Sequence, residues 1–249
     1  MPKTSGPAKP QKPPRALMAQ DRAQALEDRA KQLRDHGKLA EAELLYRKAL
    51  ALRKAALGPK HADVARSMNS LANLLYERER FAAAEPLYRE CLHVRKAVLG
   101  KHHRDVASSL SNLANVLQRT GRYAAAERLY WQSLALRKKA YGPEHQNVAM
   151  CMANLAIFMQ NTARFPKANA LFQKAMKLLL NALGSRHELT AFTRANYADF
   201  LLLTRRAPEA LPLAEEALDV LRKTLPAAHR YVRWAREVRD RAKTRDSAA

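Results

Sequence analysis

The stretch that decides the fold is Leu99–Ala140, LGKHHRDVASSLSNLANVLQRTGRYAAAERLYWQSLALRKKA, because most of the chain consists of copies of it. A shift of 42 residues brings each copy onto the next without insertion or deletion. The copies are Leu57–Val98, Leu99–Ala140, Tyr141–Ala182 and Leu183–Thr224. Internal repeats of this length are typical of arrays in which each unit buries its apolar face against its neighbours.

Each copy predicts two helices joined by a short turn. Apolar residues spaced four, three and four apart form a stripe on the first helix, at Val106, Leu110, Leu113 and Leu117. A second stripe starts at Ala126, and Gly121 lies between the two segments. Glycine is favoured where a helix ends in a left-handed residue, so we expect the glycines to mark the junctions.

Small and large residues recur at the same offsets in the copies. The recurring residues are Leu71-Ala72, Leu113-Ala114 and Leu155-Ala156 in the first helix, and Ala84, Ala126 and Ala168 with Tyr88, Tyr130 and Phe172 in the second. This pattern resembles the tetratricopeptide repeat, and the 42-residue form that opens with LGxxH resembles the kinesin light chain type. The resemblance implies an all-α fold, a right-handed α-solenoid of tandem helix-turn-helix repeats.

The predicted organisation is one repeat domain preceded by a tail. Residues 1–15 are basic and rich in proline, so we expect them to be disordered. The array runs over 16–249, with repeats at about 16–56, 57–98, 99–140, 141–182 and 183–224 and a capping helix at 226–245. No run of apolar residues is long enough to span a membrane, and the two cysteines show no metal-ligand spacing. We therefore expect a cytoplasmic protein.

One histidine recurs in each repeat, which raises the possibility of a metal site. The recurring residues are His61, His103, His145, His187 and His229. Equivalent positions in stacked repeats are separated by at least a helix diameter of about 10 Å, whereas ligands of one ion lie about 2 Å from it. We therefore interpret these histidines as starts of first helices and predict no metal.

No catalytic motif is present in the sequence. It has no GxSxG, no glycine-rich phosphate loop and no HExxH, so we predict neither enzymatic activity nor a cofactor. Acidic residues recur on the second helix, at Glu43, Glu85 and Glu127, and we expect them to form surface ion pairs.

The resemblance implies a groove lined by the first helices. It places in this groove Arg66, Asn69, Asn73 and Tyr76 of repeat two, Asn112, Asn115, Gln118 and Arg119 of repeat three, and Asn154 and Gln160 of repeat four. The same alignment directs Ser111, Ala153, Ile157 and Asn161 to the groove, and Asn196 recurs at the position of Asn112. An asparagine amide both donates and accepts hydrogen bonds, so it can hold the backbone of an extended peptide. The alternative is that these amides tie adjacent helices together.

The net charge of +22 serves either solubility or a negatively charged partner, and charge alone does not select among acidic protein, nucleic acid and lipid. The leading hypothesis is a non-enzymatic scaffold that binds an acidic or extended protein segment in the groove. The alternative is a nucleic-acid-associated protein. It would use the basic tail, the arginine-rich capping helix and the basic pairs Arg53-Lys54, Arg95-Lys96 and Arg137-Lys138.

Overall fold

A computed structural model describes residues 15–227 and 229–246, and this part of the chain forms eleven α-helices and no strand. They are α1 (Arg15–Asp35), α2 (Leu39–Leu57), α3 (Ala62–Glu77), α4 (Phe81–Leu99), α5 (Arg104–Arg119), α6 (Tyr123–Tyr141), α7 (Gln146–Asn161), α8 (Phe165–Leu183), α9 (Glu188–Leu203), α10 (Ala207–Thr224) and α11 (Arg230–Asp246). The contacts divide the chain into an N-terminal unit, which ends at Lys101, and a C-terminal unit, which begins at His102.

The predicted all-α repeat fold is confirmed. In each helix pair, a first helix of 16 to 21 residues packs against a second helix of 18 or 19 residues. α11 is a further first helix and packs on α9 and α10. Arg15, which the sequence assigned to the tail, is the first residue of α1, and the rest of the predicted tail lies outside the described residues. Among the described helices, none is long and apolar enough to cross a membrane.

The recurring histidines begin the first helices, as predicted. The imidazole Nδ1 of His61 accepts a hydrogen bond from the backbone N–H of Asp63 at 3.1 Å, and His145 accepts one from Asn147 at 3.0 Å. His103, His187 and His229 make the same contact with the residue two positions on. Each imidazole thus satisfies one of the backbone N–H groups that a helix start leaves unpaired.

The turn inside each helix pair contains one residue with a positive φ. Gly121 has φ 77°, and the equivalent residues Glu79, Ala163 and Arg205 have φ between 56° and 60°. The next residue donates its backbone N–H to the helix, as Arg122 does to the Leu117 carbonyl at 2.8 Å. This pattern is a Schellman motif, which closes the end of the first helix and starts the second.

The core lies between the two helices of each pair. Ala84, Ala126 and Ala168 are fully buried, and the aromatic residues Tyr88, Tyr130 and Phe172 one turn later are at most 2% exposed. The small residue permits close approach of the neighbouring helix, and the aromatic ring fills the space beside it. The small and large residues that recur in the sequence are therefore core residues of the repeats.

Among the recurring acidic residues of the second helices, Glu43 differs from the surface ion pair that the sequence predicted. Glu85 and Glu127 are only partly buried and form ion pairs with Arg89 and Arg164. Glu43 is only 6% exposed, and its carboxylate accepts hydrogen bonds from Arg47 at 2.7 Å, from Arg80 at 2.9 Å and from Arg78. Arg80 belongs to the next repeat, so this cluster connects two repeats of the N-terminal unit. In the C-terminal unit, Arg164 is equivalent to Arg80 and binds Glu127 at 2.7 Å.

Alanine substitutions at two glycines test the backbone of the junctions, one between two helix pairs and one inside a helix pair. Gly142, between α6 and α7, has φ 86° and ψ 157°, a conformation that is essentially restricted to glycine. Gly121 has the left-handed φ that Ala163 adopts at the equivalent position, and an added Cβ meets no atom within 4 Å at either glycine. Gly142→Ala should therefore lower the free energy of unfolding by about 1–2 kcal/mol, whereas Gly121→Ala should change it by less than about 1 kcal/mol. Denaturant unfolding followed by circular dichroism measures both, and equal losses would contradict this account.

The Glu43 cluster should make stability depend on acid. Burial acts to raise the pKa of Glu43, but the hydrogen bonds and charges of Arg47 and Arg80 outweigh it and lower the pKa below its usual value. A lowered folded-state pKa stabilises the protein above the unfolded pKa of about 4.5, and this stabilisation is lost as the pH falls through the folded value. Glu43→Gln should cost about 1–3 kcal/mol near pH 7, and the difference from wild type should shrink towards about pH 3. Urea unfolding at several pH values between these two limits measures the difference in the free energy of unfolding, with Glu90→Gln as the exposed control.

Candidate functional site

A cavity of about 500 Å³ opens on the first helices of the C-terminal unit. It lies where α7, α9 and α11 follow one another, so three successive first helices build it. Its lining residues are Ile157, Gln160 and Asn161 of α7, Phe192, Asn196 and Asp199 of α9, and Arg230, Tyr231 and Trp234 of α11. This size is within the range of sites that bind small molecules or peptide side chains.

Three aromatic side chains form one wall of the cavity. The ring of Phe192 lies with its centroid 4.9 Å from that of Tyr231 and 5.7 Å from that of Trp234. The guanidinium of Arg230 lies 5.0 Å from the centroid of the Tyr231 ring, which is a cation–π contact. The wall thus combines an apolar surface with a positive charge at its edge.

Amides and charges supply the polar part of the lining. Gln160, Asn161 and Asn196 line the cavity, and Asn196 donates its Nδ2 hydrogen to the Phe192 carbonyl at 2.8 Å, which anchors the amide to its own helix. Asp199 accepts a hydrogen bond from Arg241 at 2.7 Å. The Asp199 carboxylate is thus paired with Arg241, and Arg230 adds a guanidinium to the lining.

The residues that the alignment assigned to a groove lie in different places in the structure. Gln160, Ile157, Asn161 and Asn196 line the cavity. Ser111 and Ala153 do not face a groove, because both are buried, and the Ser111 hydroxyl shares a hydrogen bond with the Ser133 hydroxyl at 2.7 Å. Asn69 occupies the equivalent position in α3 and is half-buried. In α5 that register position therefore faces the second helix of the pair.

Two of the predicted groove asparagines, Asn73 and Asn115, tie helices together. The Tyr88 hydroxyl donates to Oδ1 of Asn73 at 2.7 Å, and the Tyr130 hydroxyl donates to Oδ1 of Asn115. Tyr130 also donates to Oε1 of Gln118 at 3.0 Å. Each contact joins a first helix to the second helix of the same pair, which is the alternative that the sequence left open.

The remaining predicted residues are dispersed over the first helices. The Tyr76 ring packs edge-to-face on Phe81 at 5.4 Å, and Arg66 forms an ion pair with Asp63. Three further residues were predicted: Asn112 and Asn154, which are half-buried, and Arg119, which is exposed.

Five lining residues were not assigned to the groove from the sequence: Phe192, Asp199, Arg230, Tyr231 and Trp234. The repeat register contains the signal for two of them. A shift of 126 residues, which is three repeats of 42, places Phe192 at the position of Arg66 and Asp199 at the position of Asn73. Extending the alignment to the fifth repeat would have found both. Tyr231 has no such precursor, because its role depends on how α11 packs against α9.

Two of the basic pairs proposed for nucleic-acid contact are partly internal. Arg53 is 2% exposed and forms an ion pair with Glu27 at 2.7 Å, and Arg95 is 8% exposed. Lys54 forms an exposed ion pair with Glu90 at 3.3 Å. Burial of the arginines leaves these helix ends less basic than the sequence indicated.

The tyrosine contacts generate a prediction that separates the two asparagines. Tyr88 is buried, and desolvation raises the pKa of its hydroxyl, so the phenol remains a donor. Asn73→Ala removes its acceptor and should lower the free energy of unfolding by about 1–3 kcal/mol, the cost of an unsatisfied buried group. Asn115→Ala should cost less, because Gln118 provides a second acceptor for Tyr130. Denaturant unfolding of the two variants tests this, and adding Tyr88→Phe to Asn73→Ala should recover part of the loss.

Comparison with solved structures finds the same fold in several proteins. The nearly identical TPR-like repeats of a Podosopora anserina protein described as a kinesin light chain share 21% identity at a TM-score of 0.63, with 82% of this chain and 97% of that chain covered. BtubC (BKLC) from P. vanneervenii shares 20% identity at a TM-score of 0.58, with 94% and 92% covered. The apo form of RapI shares 12% identity at a TM-score of 0.60, with 92% and 86% covered. These likenesses concern the fold.

Family models match almost the whole array. Two tetratricopeptide repeat models match, one at residues 22–63 and 64–105 and the other at residues 105–180 and 151–223. No curated protein sequence matches the chain. Together with the helix pairs, the Schellman turns and the buried alanine–aromatic packing, these matches establish that the chain belongs to the tetratricopeptide repeat family.

Proposed function

We propose that this chain is a non-enzymatic scaffold whose C-terminal unit captures an extended, acidic segment of another protein in the cavity formed by α7, α9 and α11. The observation that carries the proposal is the composition of the cavity: three amides, an aromatic wall and the guanidinium of Arg230 on three successive first helices. Tetratricopeptide repeats act as protein interaction modules, which supports a protein partner.

The chemistry of the lining favours this class of ligand. Gln160 and Asn161 can donate to and accept from the backbone of an extended peptide whatever its side chains. The apolar wall of Phe192 and Trp234 offers burial to one side chain of the segment, and aromatic residues are enriched where interfaces derive most of their binding energy. Arg230 favours a carboxylate nearby.

The charge of the whole chain acts in the same direction. A net charge of +22 attracts acidic partners over long distances and increases the rate of encounter, in a manner that salt screens. The local contacts at the cavity then provide the selectivity that the overall charge lacks.

Tryptophan fluorescence provides a direct test. The chain has two tryptophans, of which Trp234 lines the cavity and Trp131 is 43% exposed on α6, so Trp131→Phe isolates the cavity signal. Titration with pools of acidic, neutral and basic peptides should change the Trp234 emission with the acidic pool. Gln160→Ala combined with Asn196→Ala should weaken binding on the order of 10- to 100-fold.

A matched control keeps this test specific. Gln132→Ala combined with Gln173→Ala removes two exposed amides from α6 and α8 outside the cavity and should leave binding unchanged. Equal losses in the two double variants, or an acidic-pool response that survives loss of Gln160 and Asn196, would reject the cavity as the binding site.

A further inference from the structure

The capping helix α11 has a charged outer face, which we call the cap face and define by Arg233, Arg236, Asp240 and Lys243. The opposite side of α11 is apolar: Val232, Ala235, Val238 and Ala242 are buried. α11 packs with this apolar side on α9 and α10. The four residues of the cap face are exposed.

The repeat register shows what the cap face replaces. A shift of 84 residues, two repeats of 42, aligns Arg233, Arg236, Asp240 and Lys243 with Ala149, Met152, Ala156 and Met159 of α7, all of which are buried. In α7 these positions pack inside the array. Charged groups at the same positions of α11 oppose the packing of another helix, because burial of an uncompensated charge is costly.

Termination of the array does not by itself account for the sign of these charges. Any polar side chain keeps a face in water, and acidic ones would reduce the self-repulsion of a chain with net charge +22. The cap face instead carries two arginines and a lysine. Arg239 forms an ion pair with Asp240 at 2.6 Å, and Glu237, the other exposed acid on this side of α11, leaves the basic side chains in the majority.

Arg233 and Arg236 differ from most arginines of α11. Arg239, Arg241 and Arg245 each have a hydrogen-bond acceptor in the structure. In the part of the chain that the structure describes, Arg233 and Arg236 have neither an ion-pair nor a hydrogen-bond partner. They lie three residues apart and therefore on the same side of the helix.

We infer that the cap face binds the phosphate groups of nucleic acid. Guanidinium groups recognise phosphate oxygens through paired hydrogen bonds, and two of them on one face can contact neighbouring phosphates. The face has no apolar side chain, which disfavours insertion into a lipid surface and an apolar peptide anchor. This activity goes beyond the proposed capture of a protein segment and uses different residues.

The test measures nucleic-acid affinity and its dependence on salt. Fluorescence polarisation with a labelled DNA duplex, and separately with a labelled single-stranded RNA, should detect binding by the full chain at low salt. Arg233→Gln combined with Arg236→Gln should weaken binding on the order of 10-fold and reduce the slope of log affinity against log salt by about 2. Of the DNA duplex and the single-stranded RNA, the one that loses more affinity in the double variant is the form that the cap face binds.

A charge-matched control distinguishes a site from general attraction. Arg128→Gln combined with Lys174→Gln removes two exposed positive charges from α6 and α8 and should have a much smaller effect. An equal effect of the two double variants, or no binding of either nucleic acid by the wild type, overturns the inference. The inference is also overturned if the chain binds anionic phosphatidylserine vesicles or poly-glutamate more tightly than nucleic acid and this binding depends on the same two arginines.

Circular dichroism and the cavity variants complete the experiment. The cap variants remove exposed side chains without partners, so their unfolding curves should match wild type. Gln160→Ala combined with Asn196→Ala should bind nucleic acid normally, which separates this inference from the proposed function. Loss of nucleic-acid binding in that variant would place the site at the cavity and overturn the assignment to the cap face.

Discussion

Each helix pair depends on one residue that adopts a positive φ between its two helices. The chain must reverse direction within a few residues, and the Schellman motif achieves this by directing two backbone N–H groups back to the first helix. Gly37 and Gly121 adopt the conformation without a Cβ, whereas Glu79, Ala163 and Arg205 adopt it despite one. Because every turn has the same length, the side chains of successive repeats remain in register.

The residue that follows this turn connects neighbouring repeats. Arg80 and Arg164 complete the turn through their backbones, and their side chains bind Glu43 and Glu127 of the preceding repeat. Arg206 does the same with Asn169 at 3.0 Å, so the contact persists where the acid is replaced by an amide. One position therefore contributes both to the local turn and to contacts between repeats.

The same register separates structural amides from amides that are available to a ligand. Asn73 and Asn115 accept hydrogen bonds from buried tyrosines of their own repeats. At the equivalent positions α7 has Ile157 and α9 has Asp199, both of which line the cavity. The aromatic residue of the second helix is Phe172 in the fourth repeat and lacks a hydroxyl, so the first helix of that pair needs no acceptor. The surface of α7 can therefore differ in composition from that of the preceding first helices, and the cavity begins at α7.

The sequence by itself determined the repeat length, the helix pairs, the histidine caps and the glycine junctions. These features follow from backbone preferences and side-chain contacts within a few residues, and a period of 42 residues makes each of them visible several times. Only the tertiary structure decided that Asn73 serves Tyr88, that Glu43 is buried among three arginines, and that Phe192, Tyr231 and Trp234 form one wall. Apart from Arg47, which is on the same helix as Glu43, the partners on neighbouring helices lie 15 to 42 residues apart. Their contacts depend on the distance and angle between packed helices, which a local pattern does not encode.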